Sequence, residues 1–113
     1  MKRAKITIKT RPNRQSTKSD VVERSITAYI DSAWPGLAVH RGIDWQHGLW
    51  YVTHIRSKWR IHPWSFSKRR QAVVYAREVA GITDWLQGED DLIAQDTARK
   101  IIDAKAFSKA TEA

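Results

Sequence analysis

Strict alternation opens the chain: Ala4, Ile6 and Ile8 are separated by Lys5, Thr7 and Lys9, the period of a strand with one buried face. The pattern dissolves over 11–19, a polar run holding Arg11, Arg14 and Lys18 with no apolar residue to bury. Residues 1–19 therefore read as a flexible basic arm carrying a short strand at 4–9, with residues 20–113 forming one domain. Behind Asp20, a good N-cap, the positions Val22, Ile26, Tyr29, Ile30 and Ala33 recur at helical spacing and predict a helix over 21–33, stopped by Pro35 and Gly36. Strands are expected over 37–43, 49–56 and 60–64, with turns at 46–48 and 57–59. A helix over 68–82 follows from the stripe Ala72, Val73, Ala76, Val79 and Ala80, and Trp85 can fold back beyond it. Glu89, Asp90 and Asp91 suit the start of a last helix running through Ile93, Ile101 and Ile102 toward Phe107. The expected fold is α+β: a small three-stranded antiparallel sheet packed on a helix, with an N-terminal helix and a C-terminal helix.

Register within the central hairpin can be argued from patterning. A three-residue loop of Ser57, Lys58 and Trp59 pairs Ile55 with Ile61, Arg56 with Arg60 and His54 with His62. Tyr51, Thr53, Ile55 and Ile61 then face the helix, while Val52, His54, Arg56, Arg60 and His62 face outward. Like charges opposed across a ladder repel, so an anion between Arg56 and Arg60 would relieve that face.

Charge sharpens this reading. The 113 residues carry 20 Lys and Arg against 12 Asp and Glu, a net +8. The excess sits over 1–20 and 54–70, the second of which holds six basic side chains and no acidic one. A concentrated positive field selects polyanions, of which nucleic acid is the commonest for a soluble protein. With Trp45 and Trp50 beside the basic face, donors for phosphates and planar groups for stacking occur together. Arg41, Lys58, Trp59, Lys68, Arg69 and Arg70, with Arg11 and Arg14 on the arm, extend the same candidate interface. Trp34 and Trp85, near helix ends, are expected in the core.

Arg41, Gly42 and Ile43, the run Tyr51 to Arg56, Arg60 and Ile61, Phe66 and the helix from Ala72 to Ala80 together resemble the AP2-type DNA-binding domain, related to the terminal domains of some integrases. About 40 residues are covered. The resemblance implies three antiparallel strands, one packing helix and a sheet face read into the major groove, with Arg41, Arg56 and Arg60 at contact positions. Asp44, Gly48, His54 and His62 depart from that family's pattern, and the hairpin loop is shorter.

Other chemistry finds little support. There is no cysteine, which removes disulfides and thiolate metal sites and fits a reducing, cytoplasmic setting. No apolar run approaches the roughly 20 residues of a membrane-spanning helix. The four histidines lack the carboxylates and spacing of a metal site, and the five isolated glycines form no phosphate loop. Neither catalytic residues nor a cofactor are expected. The leading expectation is non-enzymatic binding of nucleic acid, DNA before RNA. The alternatives are a small phage- or plasmid-type inhibitor docking on a nucleic-acid enzyme, and a ribonuclease using His54 and His62 as acid and base.

Overall fold

The computed structural model describes residues 1–10, 21–42, 48–58, 61, 65–81, 85–86 and 106–113. Its frame is a four-stranded antiparallel sheet in the order β1-β2-β3-β4, with β1 Lys2–Thr10, β2 Val22–Ile30, β3 Leu37–Arg41 and β4 Trp50–His54. Helix α1, Arg69–Ala80, packs on it, and a short α2, Ala106–Thr111, lies against α1. The expected fold class, α1 and the alternation in β1 are all present. The N-terminal helix is not: residues 22–30 form a strand. The sheet therefore has four strands where three were expected, and Lys2–Thr10 belongs to it rather than to an arm.

The reason lies in the spacing of the apolar residues. Val22, Ile26 and Ile30 are four apart, which satisfies both the helical period and the strand period of two. The full run separates Val22, Ile26, Ala28 and Ile30 from Glu23, Ser25, Thr27 and Tyr29. Four of its nine residues, Val22, Ile26, Thr27 and Ile30, are β-branched and with Tyr29 fit a pleated surface better than a helix. Pairing with β1 over nine residues, from Lys2↔Ile30 to Thr10↔Val22, settles the outcome.

β3 and β4 are buried on both faces. On one side Trp34, Leu37, Val39, Val52, Ile61 and Phe66 pack against Ala72, Tyr75, Ala76 and Val79 of α1, with Trp85 and Ala110 completing the core. On the other, Ile6, Ile8, Ala28 and Ala38 form a second cluster. Lys9 N–H donates to Lys58 O at 2.8 Å, which brings the chain after β4 round to the outer edge of β1 and rolls the sheet about that second cluster. A strand buried on both faces needs no alternation. The facing expected for β4 is accordingly reversed: Val52 and His54 point to the helix side, while Thr53 meets His40 on the other.

The hairpin register also differs. β4 ends at His54, residues 55–57 turn, and Lys58 takes the left-handed conformation (φ 68°) with its N–H on His54 O at 2.9 Å. Ile61 N–H donates to Val52 O at 2.8 Å, so Ile61 does not sit opposite Ile55. Further along, Trp50 and Phe66 exchange backbone hydrogen bonds of 2.7 and 2.8 Å. That bridge delivers the chain to the start of α1 directly beside Trp50.

Inside the core, Tyr75 is fully buried and its hydroxyl has no hydrogen-bond partner among the described residues; burial alone pushes the phenol up from its ordinary value. Leaving a buried hydroxyl unpaired costs about 1–3 kcal/mol. Tyr75→Phe, which removes only that oxygen, is therefore expected to stabilise the protein by about 1 kcal/mol, read as a shift of the urea midpoint at unchanged slope. A loss of stability would show that the hydroxyl is satisfied.

Candidate nucleic-acid interface

Helix α1 covers only half of the sheet. Its packing falls on β3 and β4, and the β1–β2 hairpin extends beyond it. In that hairpin the pairs Arg3↔Tyr29, Lys5↔Thr27 and Thr7↔Ser25 share one face. Tyr29 pairs in turn with Val39, which lies in the core beneath α1. The uncovered face of the hairpin is thus the lateral continuation of the helix-covered face. It presents Arg3, Lys5, Thr7, Ser25 and Thr27, and beyond them the Lys9↔Glu23 pair, because the opposite face of the same strands takes Ile6, Ile8 and Ala28.

Three guanidinium groups converge where the open half meets α1. Arg3 Cζ lies 5.8 Å from the Tyr29 ring centroid and Arg69 Cζ 5.0 Å, with Arg69 Nη1 donating to Tyr29 Oη at 3.0 Å. Arg41 Cζ lies 5.7 Å from the ring centroid of Trp50, its cross-strand partner. The two aromatic rings are 6.3 Å apart. Hydrogen bonds from Arg3 and then Arg69 hold the Tyr29 phenol below its ordinary value, since a nearby cation favours the phenolate. The ion pairs among the described residues join the amino terminus to Asp31, Lys58 to Glu23 and Lys109 to Glu78; none takes Arg3, Lys5, Arg41 or Arg69.

The start of α1 adds to the same field. Lys68 is its N-cap residue without a side-chain cap bond, and no acidic residue occupies the first turn, where Arg69 and Arg70 stand instead. Cations there oppose the positive end of the helix dipole, at a cost of about 0.3–1 kcal/mol each.

Of the residues singled out from sequence, the structure brings Arg41, Trp50 and Arg69 together, with Lys68 and Arg70 exposed beside them. Arg56 and Lys58 are elsewhere, on the turn after β4. Arg56 Nη1 donates to Leu86 O at 3.1 Å, and Lys58 Nζ pairs with Glu23, whose carboxyl that ammonium holds below its usual value. His54 is a core residue rather than an outward one: it is 0% exposed, its Nε2 donates to Trp85 O at 2.8 Å, and its Nδ1 is 2.9 Å from Ser57 Oγ. With both ring nitrogens committed inside the fold, it offers no acid or base to a substrate. Arg11, Arg14, Trp45, Trp59, Arg60 and His62 lie outside the described residues, and with them the proposed opposition of Arg56 and Arg60. Trp34 and Trp85 are buried as expected.

Arg3, Lys5 and Tyr29 were not singled out. Reading 1–19 as an arm and 21–33 as a helix separates three residues that one hairpin register places side by side. The signal available was Arg3, Lys5, Thr7 and Lys9 alternating with the apolar face of β1, which marks them as one surface. Among the described residues no three His, Cys, Asp or Glu side chains gather as metal ligands, and no helix is long and apolar enough to cross a membrane. Comparison of the chain with protein-family models, curated proteins and solved structures finds no match.

Proposed function

We propose that the protein binds nucleic acid, DNA in the first instance, by laying the phosphate backbone across the uncovered half of the sheet, and that it acts by binding rather than by catalysis. The observation that carries this reading is the set Arg3, Lys5, Arg41 and Arg69 on one face, none of them in an ion pair among the described residues. Cations gathered without counter-charges repel one another, and their mutual repulsion is relieved by an anion of matching length. Exposed Thr27 stands opposite Lys5, the exposed Thr7–Ser25 pair continues the face beyond it, and all three can donate to phosphate oxygens. The support differs from the AP2-type resemblance, because the β3–β4 face opposite the helix holds buried His40, Tyr51 and Thr53 rather than an open reading surface.

Four phosphate contacts set the expected salt dependence. Each contributes about 0.7–0.9 to the slope of log K against log salt, so the wild type should fall with a slope of roughly −3 to −4. Arg69→Ala and Arg3→Ala should each reduce that slope by about one. Fluorescence anisotropy of labelled DNA between low and physiological salt measures both. Absence of association at the lowest salt ends the reading, and slopes unchanged by both substitutions would move the interface elsewhere.

A further inference from the structure

The cations of this face meet phosphates; the aromatic half of the same site can meet bases, an inference that rests on the phosphate-binding function proposed for that face. Trp50 is half-buried, packed on its core side against the α1 cluster and 6.3 Å from Tyr29. Arg41 lies over its ring, and Arg41 itself is exposed. The guanidinium carbon stands 5.7 Å from the indole centroid, within cation–π range, and an exposed guanidinium beside an aromatic ring is a planar group on which an unpaired base can stack. Lys binds phosphate as a point charge and offers no plane, whereas Arg offers both.

Location decides what that plane can meet. Arg41 and Trp50 are directly paired residues of β3 and β4, on the flank where α1 begins. The cations Arg3 and Arg69 stand over Tyr29, one ring away. A backbone held by Arg3, Lys5 and Arg69 therefore runs beside the Arg41–Trp50 stack, with its bases turned toward that stack. In a duplex the base faces are occupied by their neighbours and only their edges are accessible. A strand without a partner presents the faces themselves. The surrounding hydroxyls, Thr7, Ser25 and Thr27, are short donors suited to a backbone lying close to the sheet, and none is long enough to reach base edges at the floor of a groove.

We infer that the ligand is single-stranded nucleic acid, its phosphates held by Arg3, Lys5, Arg69 and the charge of Arg41, and one base stacked on the guanidinium plane of Arg41 beside Trp50. Discrimination for single strands follows from that stack and not from the charges.

The test compares three labelled DNAs of about 12 nucleotides, within the site size expected of small single-strand binders: a single strand, the same length of abasic strand, and a hairpin duplex with the same number of phosphates. The single strand is expected to bind at least about fivefold more tightly than the abasic strand, the lower end for one stacked base, and more tightly than the hairpin. Arg41→Lys keeps the charge and should reduce the preference over the abasic strand to about threefold or less without changing the salt slope. Circular dichroism of the variant confirms that it is folded. Equal binding of the single and abasic strands, or tighter binding of the hairpin, overturns the single-strand inference and leaves the phosphate reading standing. Failure of all three DNAs to bind at low salt overturns both.

Discussion

Gly36→Ala should cost about 4 kcal/mol, lowering Tm by roughly 15 °C. Two independent effects combine. Gly36 has φ +83°, a conformation that penalises an L side chain by about 1–2 kcal/mol. A Cβ at that position would also lie 2.7 Å from both the carbonyl carbon and the oxygen of Trp85, and 2.9 Å from its Cβ. Backbone cannot swing aside as a flexible side chain would. Here it is fixed twice over: the Trp85 indole donates to Val79 O at 2.8 Å, and the Trp85 carbonyl accepts from His54 at 2.8 Å. Gly36 O in turn accepts from Ile55 N–H at 3.0 Å. The substitution must break that set or strain it. Gly48→Ala is the internal control, because Gly48 also has positive φ, +96°, but nothing within 4 Å of the added carbon. It should cost about 1–2 kcal/mol, the conformational part alone. Urea unfolding followed by tryptophan fluorescence separates the two variants. Equal losses would mean that Trp85 does not press on Gly36 in solution.

The Trp85 anchorage also shows where sequence reading reached and where it stopped. Trp85 folding back, α1 with its alanine stripe, and the alternating β1 were legible because each is a local pattern: a large apolar residue after a helix, a period of 3.6, a period of two. β2 was not, since apolar residues four apart satisfy both periods and only pairing with β1 decides between them. The orientation of β4 was illegible for a different reason. Trp50, Tyr51, Val52, Thr53 and His54 all suit burial, and in a strand covered on both faces the usual polar marker of the open side is missing. The outward placing of His54 follows from the hairpin register that pairs it with His62, whereas its two ring nitrogens find partners within the core and burial costs it little. Arg41, Trp50 and Arg69 were recognisable as binding residue types. Their meeting with Arg3 and Tyr29 depends on contacts 21 to 40 positions apart along the chain, which no local pattern carries.

Arg69 carries the strongest discriminating prediction, because fold and ligand ask opposite things of it. A helix prefers carboxylates in its first turn, and α1 has none there. Arg69→Glu should therefore strengthen the helix terminus by about 0.3–1 kcal/mol, less what is lost with the hydrogen bond to Tyr29. Net stability should stay within about 1 kcal/mol of the wild type. Binding should respond in the other sense. Combined with Arg3→Glu, two phosphate contacts become two repulsions, so the salt slope should fall by about two and affinity at low salt by about 100-fold or more. Charge reversal at a remote exposed cation separates this from a change in net charge. Arg56→Glu alters the total by the same amount per residue, yet Arg56 lies on the turn after β4 with its guanidinium on Leu86 O. It should weaken binding by no more than about threefold, the long-range share that salt largely screens. A protein whose Arg3→Glu/Arg69→Glu variant is folded and still binds DNA within threefold of the wild type would hold its ligand on some other surface. A variant that stays folded and loses binding would show why a cation stands at the positive end of α1: the nucleic acid needs it there, although the helix does not.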